Sequence, residues 1–90
     1  MAHDYHLAEY LRDRIALLDP EARQELAVCL ERLLADPEPD GVDRIAEPPY
    51  FPYRAGAITM HCGRFRINYM LANNGMVVHI FSISPLPRLP

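Results

Sequence analysis

The sequence contains no lysine. Its nine basic side chains are all arginines, set against twelve acidic ones, and the net charge is −3. Nothing in that balance draws the chain toward a polyanion. An acidic, lysine-free composition suits a protein-binding module better than a nucleic-acid binder. Cysteine is scarce as well: Cys29 and Cys62 are the two, and they form no metal or redox spacing. No apolar run approaches the roughly 20 residues that cross a membrane. No secretory signal, internal repeat or low-complexity segment is visible. With no disulfide framework either, a reducing cytoplasm is the expected setting. Ninety residues, half of them hydrophobic, suffice for one modest core, and one domain over residues 1–90 is expected.

What is present is organised around residues 56–84. Three apolar-rich runs there are separated by Gly63-Arg64 and Asn74-Gly75. Asn-Gly suits a type I′ turn, which needs positive φ at both central residues, and Gly-Arg suits type II′, which needs it only at the first. The expectation is an antiparallel meander with strands at about 56–62, 65–72 and 76–84. The turns set the register. Cys62 falls opposite Phe65, His61 opposite Arg66 and Thr59 opposite Asn68; Met70 falls opposite His79 and Asn68 opposite Phe81. One face then carries Ile58, Met60, Phe65, Ile67, Tyr69, Val78 and Ile80. The other carries Thr59, His61, Arg66, Asn68, Met70, His79, Phe81 and Ile83.

Upstream, Leu7, Leu11, Ile15 and Leu18 make a stripe at helical spacing, with Asp4 as cap, which predicts a helix over about 5–18. Asp19-Pro20-Glu21 is a restart signal for a second helix over about 20–35, with Ala22, Leu26, Cys29, Leu30 and Leu33 inward. Asp36-Pro37 ends it. Residues 36–55 read as a proline-rich loop in which the Tyr50-Phe51-Pro52-Tyr53 cluster is apolar enough to lie on the sheet. The expected fold class is α+β: an N-terminal antiparallel helical hairpin packed on one face of a three- to four-stranded antiparallel sheet.

This order, together with Gly63, Phe65, Arg66 and Tyr69 around the first turn, resembles the RelE/ParE superfamily of bacterial toxins. The likeness runs from about Tyr5 to Ser84. It implies the toxin of a toxin–antitoxin pair, similar to RelE-type ribosome-dependent mRNA endoribonucleases, with a cognate antitoxin and, in that case, the ribosome and mRNA as partners. The chain departs from the family pattern in four places. His61 stands where the first family arginine would be. Pro85 and Leu86 occupy the region of the usual C-terminal arginine and tyrosine. Lysine-rich basicity is missing, and no first strand is evident before Asp4. These departures keep a second reading open, a RelE/ParE-fold interaction protein with weak or no catalysis, or a gyrase-directed inhibitor similar to ParE.

Cleavage at a phosphate needs a base for the 2′-hydroxyl, a cation for the developing charge and an acid for the leaving oxygen. Arg66 and His61 are the candidate catalytic pair, since imidazole titrates near neutrality and guanidinium grips phosphate in a fork. Arg64, Arg54, Asn68, His79 and Phe81 are candidate substrate-binding residues, with Phe81 able to stack a base. Each has a plainer alternative. His61 and Arg66 are equally read as a solvated polar pair, Arg64 and Arg54 as surface arginines, and His79 and Tyr53 as structural side chains.

No metal or other cofactor is expected. The register separates His61 from His79 by four residues along the central strand, about 13 Å at about 3.3 Å per residue, too far to share one zinc. His3 and His6 are assigned to a helix end without a third ligand. The apolar groups left on the second sheet face call for a protein cover. Open sheet edges invite a homodimer or a partner strand.

Overall fold

Two short strands that the hydrophobic pattern does not announce complete the sheet. The computed structural model describes residues 4–49 and 56–88. In chain order these form β1 (Asp4–Leu7), α1 (Glu9–Ile15), α2 (Pro20–Ala35), β2 (Arg44–Ala46), β3 (Ile58–Cys62), β4 (Phe65–Ala72) and β5 (Val77–Ser84). The sheet has five strands in the order β1-β5-β4-β3-β2. It is mixed, because β1 runs parallel to β5 while the other pairs are antiparallel. The expectation of three to four antiparallel strands is corrected on both counts.

Residues 4–7, assigned by the sequence to the first helix, extend instead along β5, with His6 beside His79 and Leu7 beside Ile80. The helix therefore begins at Glu9, after Ala8, with no side-chain cap, and Asp4 does not cap it. The second helix follows its sequence signals. Asp19 Oδ1 accepts from the Ala22 N–H at 2.8 Å and Pro20 takes the first helical position. Helix α2 stops at Ala35, and Pro37 beyond it is buried with its carbonyl accepting from the Tyr69 hydroxyl at 2.5 Å.

The loop expected over 36–55 holds β2. Asp40 Oδ1 accepts from the N–H groups of Val42, Asp43 and Arg44 at 2.8, 2.9 and 2.9 Å. Those backbone donors, led by that of Arg44, hold the Asp40 carboxyl below its usual range. The Arg44 guanidinium closes the loop against Asp40 at 2.9 Å. This local brace delivers residues 44–46 to the edge of β3. The Tyr50-Phe51-Pro52-Tyr53 cluster lies outside the described residues.

The first meander register holds throughout, and the second holds from its turn as far as Tyr69 and Ile80. Cys62 pairs with Phe65 across Gly63-Arg64, and of those two only Gly63 has positive φ, +57°, as a type II′ turn requires. At the second turn Ala72 pairs with Val77, and Asn73, Asn74 and Gly75 all take positive φ. The loop is wider than a two-residue turn, but the pairing next to it, from Ala72 with Val77 to Tyr69 with Ile80, is as expected.

One irregularity redistributes the faces. Tyr69 pairs with Ile80 but Asn68 pairs with Ser82, leaving Phe81 as an extra residue at a bulge. Past it the alternation of β5 inverts, so Ile83 lies opposite Ile67 and is buried. The sequence reading had put Ile83 on the outer face. The core joins Leu26, Cys29 and Leu33 of α2 and Leu11 of α1 to Met60, Phe65, Ile67, Tyr69, Val78 and Ile80 of the sheet. Each such large apolar side chain contributes about 1.5–3 kcal/mol by leaving water.

Candidate functional site

Helix α2 fixes the β3–β4 hairpin through one edge, at positions 25, 29 and 32. Glu25 Oε2 accepts from the Arg64 backbone N–H at 2.9 Å and from its Nε at 3.2 Å. The backbone bond, with the guanidinium behind it, holds the Glu25 carboxyl below its usual range. Cys29 is disulfide-bonded to Cys62, with 5.8 Å between Cα atoms. Arg32 lies 3.3 Å from Cys62 Sγ and 3.3 Å from Asp43 Oδ2. The sequence reading found no disulfide, because a separation of 33 residues carries no local signal.

The far face of this clamped hairpin presents the candidate pair. His61 and Arg66 are directly opposite each other and both are exposed. The His61 N–H donates at 2.9 Å to the Asp43 carbonyl, away from β4. The pair is therefore of the non-hydrogen-bonded kind, which brings Cα atoms to about 4.5 Å. Across β4, Arg66 faces Ser84. His61, Arg66 and Ser84 thus form a row of imidazole, guanidinium and hydroxyl over three strands. Among the described residues, no ion pair or hydrogen bond engages the side chains of His61 or Arg66. Arg66 is left with its donors available to an anion.

The other candidates separate from this row. Arg64 is engaged with Glu25 on the helix side. Asn68 is buried and its Nδ2 donates at 2.6 Å to Thr59 Oγ1, so it is a cross-strand tie and not a substrate contact. Phe81 is displaced from its expected place opposite Asn68 by the bulge, and its carbonyl accepts from the Tyr10 hydroxyl of α1. His79 is exposed opposite Met70, four residues along β4 from Arg66, about 13 Å away. Arg54 and Tyr53 lie outside the described residues. Ser84 and His6 are members of the outer face that the sequence reading missed. The bulge hides the first, and the unrecognised parallel strand hides the second.

The tail after β5 is held on the helix side. Arg14 donates from Nε to the Pro87 carbonyl at 2.9 Å and from Nη2 to the Leu86 carbonyl at 3.1 Å. Leu86 packs against the core. A groove of about 450 Å³ lies between this tail, Arg64 and the turn at Leu17-Leu18, and it contains neither His61 nor Arg66. Among the described residues no group of three or more His, Cys, Asp or Glu converges on a point where a metal could sit.

Known structures share this architecture. A chain of the RelBE2 toxin–antitoxin complex of Mycobacterium tuberculosis is 16% identical, with a TM-score of 0.65 over 92% of this chain and 96% of that one. A mutant of the E. coli toxin RelE in the free state is 20% identical, with a TM-score of 0.59 over 92% of this chain and 82% of that one. No protein-family profile matches the sequence. No curated protein matches it. The likeness is one of fold: two helices on a five-stranded sheet, arranged as in a RelE-type toxin.

Proposed function

We propose that this protein is the toxin of a toxin–antitoxin pair and cleaves messenger RNA on the ribosome, with Arg66 and His61 as the working pair. The observation that carries this reading is the exposed His61–Arg66 pair, with half-buried Ser84 beside it, on a RelE-type fold, Arg66 being unengaged among the described residues. In this reading Arg66 grips the scissile phosphate and stabilises charge on the phosphorane. His61, across the hairpin, takes the proton of the attacking 2′-hydroxyl or supplies one to the leaving 5′-oxygen. The backbone bond from His61 to Asp43 and the α2 clamp fix the strands from which both side chains project before substrate arrives.

The partner in this reading is an antitoxin, as in the complex from M. tuberculosis. Tyr10 of α1, Val28 of α2 and Leu17 in the turn between them leave about half of their surfaces exposed, at 50%, 45% and 47%, and a wrapping segment would cover them. The sheet edges at β1 and β2 are where a partner strand or a second copy would pair.

The test is incubation with translating ribosomes and mapping of message 5′ ends. Cleavage that falls by about 10²–10³ in Arg66→Ala supports the mechanism. Cleavage unaltered in that variant overturns it. A second reading is favoured by Leu86, which packs against the core in the region where the family resemblance leads one to expect a cation. It makes the protein a RelE/ParE-fold interaction protein, or a gyrase-directed inhibitor, without RNA cleavage. Expression that arrests growth while messages stay intact, or that leaves growth unaffected, selects it.

A further inference from the structure

We infer that His6 and His79 form a two-imidazole site for a borderline divalent transition-metal ion of the zinc type. The inference does not depend on the ribonuclease reading. The two residues come together only because β1 is a strand. Parallel pairing with β5 places His6 directly beside His79, and both side chains are exposed. Their ring centres lie 5.3 Å apart with planes tilted by 46°. Two imidazoles on one tetrahedral zinc, each nitrogen about 2.0–2.1 Å from the metal, place their ring centres about 5.2 Å apart. The observed separation matches that spacing.

Three further features fit this chemistry. Among the described residues, no hydrogen bond or ion pair occupies the ring nitrogens of either histidine. The backbones are already fixed by strand pairing, so an ion would order only two side chains. Asp4 precedes His6 by two residues and so shares its face of β1, and it adds negative charge along the same row. No third convergent His, Cys, Asp or Glu exists among the described residues, so water completes the coordination and the ion exchanges freely. Imidazole donors select zinc, copper or nickel over magnesium or calcium. A bound ion would link β1, an edge strand, to β5.

The experiment is calorimetric titration of the full chain, free of any affinity tag, with Zn²⁺. The expected result is one saturable site per chain, at least tenfold weaker in His6→Gln and in His79→Gln, and unchanged in His61→Gln and His3→Gln. At about ten times Kd, Zn²⁺ should raise Tm by about 6 °C in the native sequence and not in the His6→Gln/His79→Gln double variant. Both side chains are exposed, so the variants should melt like the native protein without zinc. Absence of saturable binding would leave the two rings as an aromatic contact and overturn the inference. So would binding that survives in the double variant or disappears in His3→Gln alone.

Discussion

Reducing the Cys29–Cys62 link without changing any residue gives the sharpest test of how α2 holds the hairpin. The link closes a loop of 33 residues. Loop-closure entropy for that length amounts to about 3.7 kcal/mol at 25 °C. A domain of this size has a total stability on the order of 5–10 kcal/mol, so the link accounts for a third or more of it. The corresponding fall in Tm is about 15–30 °C. Reduction is a cleaner perturbation than mutation because Cys29, 1% exposed, keeps its volume in the core. The assay is urea unfolding followed by circular dichroism, with and without a reductant, alongside a count of free thiols. The reduced protein should unfold at lower urea and with a larger m-value, because its denatured state is less constrained. Equal midpoints, with thiols shown to be bonded in one sample and free in the other, would refute the reasoning. They would mean that the Glu25–Arg64 and Arg32–Asp43 contacts and apolar packing alone set the hairpin's position.

Two further perturbations test other parts of the same framework. Gly63→Ala should destabilise by about 2 kcal/mol in urea melts, because its φ is +57° and the added Cβ would stand 2.7 Å from Glu25 Oε2; repeating it in a Glu25→Ala background should recover part of that loss, as a double-mutant cycle would show. Burial raises the Tyr69 hydroxyl pKa well above its usual value, so the folded state keeps a proton that the unfolded chain releases above about pH 10. Stability should therefore fall as pH rises past that point, and in Tyr69→Phe this decline should disappear, at a cost near neutrality of about 1–3 kcal/mol for the orphaned Pro37 carbonyl.

The parts of the fold that are legible in the sequence are those encoded locally. Gly63-Arg64 sets the β3–β4 register, Asn74-Gly75 sets that of β4 and β5 as far as Tyr69 and Ile80, and Asp19-Pro20 sets the start of α2. The His61–Arg66 opposition follows from the first of these turns. The missed parts depend on distant partners. β1 has four residues, and only Leu7 among them is even half-buried, so no periodicity marks it; its ladder is completed by β5. β2 has three residues, positioned by the Asp40 side chain in a segment whose prolines suggest only loop. The bulge at Phe81 shifts one strand by a single residue, and hydrophobic alternation cannot locate such a shift when Phe81, Ile83 and their neighbours are apolar on both phases. Asn68 reads as a free polar group until Thr59 is seen to lie opposite and engage it.

The neighbour relation between β1 and β5 has a consequence for the timing of biosynthesis. Of these five strands the first to be made docks on the last, about 70 residues behind it, and at 5–20 residues per second that is a wait of roughly 4–14 s. Throughout that interval the nascent chain carries Leu7 without its seat on Ile80, and the carbonyl of Ile80 that receives the Ala8 N–H does not yet exist. The five-stranded surface therefore exists only once β5 has been made, and a chain that has reached no further than β4 presents β5's side of the sheet as an open edge.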